Sequence, residues 1–189
     1  MSSLSYLSDA HEIALNLLQG NSILYPTDTI WGLGCDATNI EAIQKVYQIK
    51  NRPLDKNFIL LFSDVKMLSD YCDLSLETLA SLFNPLDKPT TFILSSKFKL
   101  PEMLSYEGFW AVRIPKNAFC NHIIKQLGRP LVSTSANFSG APNPNSFQEI
   151  DAKIKAQVDI IVHPDLDSGT GKASQILKLV DGNIEVIRN

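Results

Sequence analysis

The alternation of short apolar segments with segments of helical periodicity is the feature that most limits the folds open to this chain. The longest apolar run, residues 58–62, is typical of a strand that is buried on both faces of a sheet. Because a membrane-spanning helix needs ~20 apolar residues, no transmembrane helix is predicted. Further strands are predicted at residues 22–25, 91–95, 110–114, 130–133 and 159–162.

Between these strands, apolar residues recur at helical spacing. A first helix is predicted to end at residue 18, because Gly20 supplies a C-terminal stop. Thr38 and Glu41 form a capping box that opens a second helix, which should end near residues 52–53. The same periodicity predicts helices at residues 65–71, 76–83, 117–127 and 148–157.

The end of the chain carries the strongest turn signal. Asp181 and Gly182 separate apolar segments at residues 174–180 and 184–187, which predicts a β-hairpin and therefore an antiparallel sheet edge. A length of 189 residues fits one domain. The sequence thus predicts a single α/β (α+β) domain over residues 1–189, with a twisted, mixed parallel and antiparallel sheet flanked by helices.

Charge and cysteine content exclude several classes of protein. Seventeen Lys and Arg residues against twenty Asp and Glu residues give a net charge of -3, too acidic for a protein whose whole surface binds nucleic acid. The N-terminal segment lacks a basic and an apolar signal region, so a cytoplasmic location is expected. Cys35, Cys72 and Cys120 are too widely spaced for a disulfide framework or a CxxC metal pair, and no histidine motif predicts a metal held by the protein.

Small polar side chains follow predicted strands at two places. One cluster runs from Ser133 to Asn137 and the other covers residues 26–29, while Arg113 lies near the end of a further strand. Ligands of open α/β sheets bind at strand ends, so these groups could orient a polar substrate. The alternative interpretation is that the polar clusters form turns that satisfy their own backbone groups.

Lys50, Arg52 and Lys56 cluster where the second predicted helix ends. Cations are favoured there by the unpaired carbonyls of a helix C-terminus, which is one sufficient explanation. Pro53 disfavours helical backbone at Arg52, so its guanidinium could instead enter a cleft and hold a phosphate or carboxylate. Both interpretations stay open on these residues alone.

Residues 32–37 match the pattern G-x-G-x-x-A of dinucleotide-binding folds. The first glycine lies too far beyond the preceding strand for the tight turn that this fold requires. The glycines are therefore expected to let the backbone pass close to another element. No G-x-S-x-G motif accompanies the three histidines, so a nucleophilic triad is not indicated.

Five segments combine these features in one order. They are YPTDTIWGLGCDA at residues 25–37, KNRP at 50–53, AVRIP at 111–115, PLVSTSANFSG at 130–140 and the hairpin at 174–188. Together they resemble the YrdC-like family of threonylcarbamoyl-AMP synthases, in its TsaC-type short form. The resemblance covers most of the chain and implies the YrdC-like (DHBP synthase-like) fold with a concave, basic cavity.

The resemblance implies condensation of L-threonine, bicarbonate and ATP into L-threonylcarbamoyl-AMP and diphosphate, with Mg²⁺ arriving on ATP. The product would pass to a threonylcarbamoyl transferase complex that forms threonylcarbamoyladenosine at position 37 of tRNAs reading codons that begin with A. Matching positions assign catalysis to Lys50, Arg52, Ser135 and Asn137, ATP contacts to Arg52, Lys56, Ser135, Asn143 and Arg188, and threonine contacts to Thr29, Arg113, Ser133 and Ser174.

Two other classes of function remain open from the sequence. The first is a double-stranded RNA or tRNA-binding module of the same fold without synthase activity, for which a weak RNA contact would use Lys45, Lys50, Arg52, Lys56, Arg113 and Arg188. The second is a regulatory relative, or a carbamoyl-adenylate enzyme of the hydrogenase-maturation kind. The latter kind normally carries acylphosphatase and zinc-finger segments in a much longer chain.

Overall fold

The computed structural model describes residues 6–54, 57–84, 86–97, 99–167, 169–180 and 182–189. Residues 6 and 7 are described in backbone only. The helices are α1 (Ala10–Leu18), α2 (Ile40–Lys50), α3 (Val65–Ser69), α4 (Leu76–Phe83), α5 (Ala118–Leu127) and α6 (Ala152–Gln157). The strands are β1 (Tyr6–Leu7), β2 (Ile23–Tyr25), β3 (Gly32–Asp36), β4 (Ile59–Leu61), β5 (Thr90–Ser95), β6 (Phe109–Arg113), β7 (Leu131–Ser135), β8 (Ile160–Val162), β9 (Gln175–Val180) and β10 (Asn183–Arg188).

These strands form one sheet in the order β1-β8-β2-β3-β7-β4-β6-β5-β9-β10. Parallel pairs join β1 to β8, β8 to β2, β4 to β6 and β5 to β9. The other neighbouring strands are antiparallel. The predicted mixed sheet with flanking helices is confirmed, and so is the antiparallel hairpin at its end, although Asp181 of the turn lies outside the described residues.

Apolar side chains pack on both faces of the sheet. Helices α1 and α5 contact each other, and they cover one face with a core that includes Ile13, Ile123 and Leu131. Helix α2 packs on the opposite face through a core that includes Val46 and Leu60. The cysteines lie in these cores as buried free thiols.

The face under α1 and α5 continues beyond those helices. Strand register places Ser133 beside Ile59 and Ile59 beside Ala111 on that face. Two residues along, Leu131 pairs with Leu61, and both belong to the core under α1 and α5. One face of the sheet is therefore divided between a packed core and an open region floored by small side chains.

The sequence does not predict strand β3, because its two glycines have a low preference for strands. Placing a Cβ on Gly34 would bring it 1.9 Å from the Val132 carbonyl oxygen, so β3 approaches β7 too closely for any side chain there. The expectation that the glycines allow a close backbone approach is confirmed, and the dinucleotide-binding alternative is wrong, since the motif lies within a strand.

Several predicted boundaries were wrong for local reasons. Helix α2 is capped by Asn39, whose side chain accepts from the Ala42 amide, while the Thr38 hydroxyl donates to Asp36 instead. Helix α6 begins at Ala152, after an Asp151 cap, and not at residue 148. Strand β7 extends to Ser135, because pairing with β3 continues through the polar residues.

Candidate functional site

A cavity of about 270 Å³ opens on the uncovered face of the sheet. Its walls come from the loop after β2, from β3, β4, β6 and β7, and from the segment around β9 and β10. Most of the predicted site residues line it, namely Thr29, Arg52, Arg113, Ser133, Ser135, Asn143, Ser174 and Arg188. The fold thus gathers into one cavity side chains that are distributed along most of the sequence.

Arg113 lies at the end of β6, and 5% of its surface is exposed. Its Nη2 donates to Asp28 Oδ1 at 2.6 Å, and its Nη1 donates to Thr29 Oγ1 at 2.9 Å. The Nε of Arg113 and the second carboxylate oxygen of Asp28 are buried without a hydrogen-bond partner. The guanidinium is therefore held rigidly, and each of its terminal nitrogens keeps a second N–H beyond these contacts.

Hydroxyl groups in the cavity wall are held by short contacts. Thr29 Oγ1 lies 2.8 Å from Thr27 Oγ1, and Ser174 Oγ lies 2.8 Å from Thr91 Oγ1. Ser133 Oγ accepts from the buried Tyr25 hydroxyl at 2.8 Å. These groups are preorganised, because the surrounding structure and not a ligand fixes their positions.

Lys50 is 1% exposed and lies behind the cavity wall. Its ammonium donates to the carbonyl oxygens of Ser135 at 2.5 Å and Asn137 at 2.7 Å, and to Asn137 Oδ1 at 3.2 Å. Burial, followed by the charge of Arg52, lowers the pKa of Lys50 to about 7. The Ser135 hydroxyl, which lines the cavity, also donates to Asn137 Oδ1. Lys50 and Asn137 thus connect to the cavity through Ser135 and do not line it.

The other two arginines of the cavity are anchored by backbone oxygens. Arg52 donates through Nη2 to the Asn57 carbonyl at 2.8 Å, and its guanidinium lies 5.3 Å from the centre of the Phe58 ring. Arg188 donates through Nη2 to the Ser174 carbonyl at 2.7 Å. Lys56, the remaining predicted ATP contact, lies outside the described residues.

A second cavity of about 490 Å³ continues from the first across the same sheet face. The two share Asn57 and Ala111 in their linings. The second cavity is lined mainly by apolar groups, including Phe109 and Ile187. The ammonium of Lys178 lies 4.9 Å from the centre of the Phe109 ring. An apolar chamber therefore adjoins an arginine-lined one.

The segment before β9 lies against the loop after β2. Asp167 Oδ2 accepts from the Trp31 indole N–H at 2.7 Å, and the Gly171 amide donates to the Thr29 carbonyl at 2.8 Å. A Cβ on Gly169 would lie 2.8 Å from that same carbonyl. These contacts join two cavity walls that are far apart in the sequence.

The sequence patterns did not single out Trp31 and Asn57, which also line the cavity. Trp31 lies in the segment at residues 25–37 that carries the family resemblance, but the resemblance assigns it no role, and nothing in the sequence around Asn57 sets that residue apart. Arg113 was found because a charge at a strand end needs a partner. The partner, Asp28, sits in a loop whose polar residues the sequence did mark.

Positive charges predicted for RNA contact are largely used inside the molecule. Lys45 pairs with Asp159 at 2.5 Å, Arg113 pairs with Asp28, and Lys50 is buried. Within the described ranges, no cluster of three or more His, Cys, Asp or Glu residues could hold a metal ion. Nor does any helix in those ranges have the length and apolar character needed to span a membrane.

Comparison with known proteins identifies the family. The Sua5/YciO/YrdC model, described as "Telomere recombination", matches residues 16–189. The chain belongs to the Sua5/YciO/YrdC family. This confirms the family-level resemblance predicted from the sequence.

Members of the Sua5/YciO/YrdC family resemble this chain in sequence and in fold. The threonylcarbamoyl-AMP synthase of Xanthomonas campestris pv. campestris (strain B100) is 33% identical over 172 residues, which cover 88% of this chain and 89% of the relative. E. coli YciO superposes with a TM-score of 0.81 at 25% identity, covering 100% of this chain and 96% of that one.

P. abyssi Sua5 complexed with L-threonine has the same fold, with a TM-score of 0.81 at 24% identity. The alignment covers 98% of this chain and 56% of the Sua5 chain.

Proposed function

We propose that this chain is a threonylcarbamoyl-AMP synthase, a nucleotidyltransferase that joins L-threonine, bicarbonate and ATP and releases diphosphate. One observation carries the proposal: Arg113, Arg52 and Arg188 line one cavity together with several hydroxyl groups. A relative of that name at 33% identity over most of both chains supports it. P. abyssi Sua5, which shares the fold, is a threonine-bound structure.

Arg113 is assigned to the threonine carboxylate. Nη1 and Nη2 make one anchoring contact each, to Thr29 and Asp28, and each of these nitrogens keeps a second N–H, whereas Nε is buried. A carboxylate that accepts from the two terminal nitrogens forms a paired geometry that guanidinium groups favour. Asp28 offsets the positive charge, so recognition depends on the geometry of the donors more than on net charge.

The phosphates of ATP are assigned to Arg52, Arg188 and Asn143, with a further contact expected from Lys56. Ser135 would reach the phosphates through the magnesium ion that ATP carries, because its own proton is donated to Asn137. The purine ring is assigned to the second cavity, because its apolar lining suits a flat, poorly charged ring. The shared wall at Asn57 and Ala111 allows one ligand to extend across both chambers.

The reaction needs positioned reactants and stabilised charge. The threonine amine and bicarbonate form a carbamate with loss of water, and a carbamate oxygen then attacks the α-phosphorus of ATP. The bond to the β-phosphate oxygen breaks, and diphosphate leaves with its electron pair. Negative charge spreads over the phosphoryl oxygens in the transition state, where Arg52 and Arg188 donate hydrogen bonds. Lys50 and Asn137 contribute by holding Ser135 in place.

Magnesium would arrive bound to ATP and would offset the charge of its phosphates. Among the described residues that line the first cavity there is no carboxylate, so phosphate oxygens and water would supply most ligands. Ser135 Oγ directs its proton to Asn137 and therefore presents lone pairs, which fits a neutral oxygen ligand for such an ion.

The product, L-threonylcarbamoyl-AMP, is a reactive mixed anhydride and needs an acceptor. A threonylcarbamoyl transferase complex that modifies tRNA would consume it, and a cytoplasmic location goes with that role.

The proposal is tested by diphosphate release from the purified protein with ATP, Mg²⁺, L-threonine and bicarbonate, leaving out one component at a time. Release should require both threonine and bicarbonate. Arg52→Ala should lower turnover by ~10²-fold, the scale of one lost transition-state donor. Lys153→Ala removes an exposed cation of α6 and should leave turnover unchanged.

Release that ignores threonine would refute the proposal. The RNA-binding alternative would then be tested by the fall in RNA affinity with rising salt.

A further inference from the structure

Tyr25 ends β2 and is completely buried beside the cavity. Its hydroxyl donates to Ser133 Oγ at 2.8 Å, its one hydrogen-bond partner among the described residues. The ring packs against two glycines of β3: a Cβ would lie 3.0 Å from Tyr25 Cζ at Gly32 and 3.3 Å from Cε1 at Gly34. The glycines leave room for this ring and fix its position.

The geometry sets the direction of the Tyr25–Ser133 hydrogen bond. The Tyr25 hydroxyl donates to Ser133 Oγ and has no other acceptor among the described residues. Burial also raises the pKa of Tyr25 well above its ordinary value, so the phenol keeps the proton that it donates. Ser133 lines the cavity, and its hydroxyl has no second partner among the described residues. Its own proton is therefore directed into the cavity.

Neighbouring hydroxyls have the opposite polarity. Thr27 donates to the Ile30 carbonyl at 2.7 Å, so the proton between Thr27 and Thr29 comes from Thr29. Ser135 donates to Asn137 Oδ1. Thr29, which also accepts from Arg113, and Ser135 thus have no proton to offer the cavity, whereas Ser133 presents a donor.

We propose that Tyr25 is a positioning residue that makes Ser133 an obligate hydrogen-bond donor to an acceptor oxygen of the amino-acid substrate. This inference rests on the proposed function, since it concerns the threonine end of that site. The arrangement would contribute to substrate specificity. An α-amino acid places a carboxylate or carbamate oxygen against Ser133 and accepts its proton, whereas a ligand with a hydrogen-bond donor at that position would be repelled.

The test compares Tyr25→Phe, Ser133→Ala and the double variant, using calorimetric binding of L-threonine and, separately, of ATP. Tyr71→Phe is the control, because it removes a tyrosine hydroxyl from a residue that does not line the cavity. Tyr25→Phe should weaken threonine binding about three- to tenfold, the value of one hydrogen bond, and leave ATP binding unchanged. The double variant should bind threonine as Ser133→Ala does, since Tyr25 acts through Ser133.

Several outcomes would overturn the inference. They are a Tyr25→Phe variant that binds threonine like the wild type, equal weakening of threonine and ATP, or full additivity with Ser133→Ala. If Tyr25→Phe fails to fold, an unchanged threonine affinity in Ser133→Ala overturns it as well. If the wild-type protein binds no threonine, the proposed function and this inference are both overturned. If the wild type binds threonine and any of the outcomes above occurs, only the role of Tyr25 is overturned.

Discussion

Replacing Arg113 by methionine should affect folding and threonine binding by two separable mechanisms. Arg113 and Asp28 form a buried pair with side-chain exposures of 6% and 13%. Removing one partner of a buried ion pair typically costs about 3–5 kcal/mol, because the other charge stays buried alone. One Asp28 oxygen already lacks a partner, so Arg113→Met would leave that carboxylate almost without donors. We expect the free energy of unfolding to fall by this amount.

The binding effect is estimated from the lost hydrogen bonds. Two charge-assisted bonds between Arg113 and the threonine carboxylate contribute about 1.5 kcal/mol each at the low end, so about 3 kcal/mol is lost in total. That corresponds to a threonine affinity ~10²-fold weaker. The ATP affinity should change little, because the phosphates are assigned to other arginines.

Adding Asp28→Asn to Arg113→Met separates the two effects. The double variant carries neutral groups at both positions, so it should recover most of the lost stability but none of the threonine binding. Arg129→Met is a control: it removes the ion-pair partner of a buried aspartate, Asp36, which keeps the Thr38 donors, and Arg129 does not line the cavity.

Denaturant unfolding and calorimetric titration with L-threonine and ATP measure both quantities. The reasoning is refuted if the double variant is no more stable than Arg113→Met, or if it binds threonine normally.

The remaining predictions concern Lys50 and the glycines of β3. Lys50→Met should lower the rate of diphosphate release by ~10²-fold with little change in threonine affinity, because the Ser135–Asn137 segment loses its anchor and shifts. A normal rate would contradict this positioning role. The folded pKa of Lys50, about 7, lies below the 10.5 of an ordinary lysine, so the unfolded chain binds more protons between these values and stability should rise with pH. The rise in the free energy of unfolding from pH 7 to pH 9 should be at most about 2 kcal/mol, because three acceptor oxygens favour the charged ammonium and oppose the lowering of the Lys50 pKa. Denaturant unfolding of Lys50→Met should show no such rise. Gly34→Ala should lower the free energy of unfolding by about 3 kcal/mol or more, since its Cβ would lie 1.9 Å from the Val132 carbonyl oxygen. Gly32→Ala should lower it less, because its Cβ contacts only the Tyr25 ring. Equal thermal midpoints for the two variants would count against this packing argument.

Much of the fold could be predicted from periodicity, because most strands are apolar runs and most helices carry one apolar stripe. Strand β3 could not, since its glycines have a low intrinsic strand preference and are selected by the proximity of β7. The polar end of β7 was missed for a related reason. Pairing with β3 keeps Ser133 to Ser135 in the strand, and that pairing is not encoded locally.

The site was predictable at the level of residue types and less so at the level of contacts. Polar residues at strand ends marked Thr29, Arg113 and Ser133, and the structure places them in one cavity. The sequence did not indicate that Lys50 would be buried behind the wall, because a lysine at a helix end normally reaches solvent. Its position depends on three oxygens contributed by residues 135–137, a long-range contact that periodicity does not encode.

The floor of the cavity consists of sheet residues, with Gly32, Ser133 and Ala111 among its small members. The depth of the cavity is therefore determined by strand residues. Neighbouring strands hold their backbone on both sides, so it cannot shift to accommodate a larger side chain. Loop substitutions would alter the rim and the rate of ligand entry, but a ligand of different thickness would need a change in the strands themselves. The dimensions of the bound molecule are in this sense encoded in the paired strands.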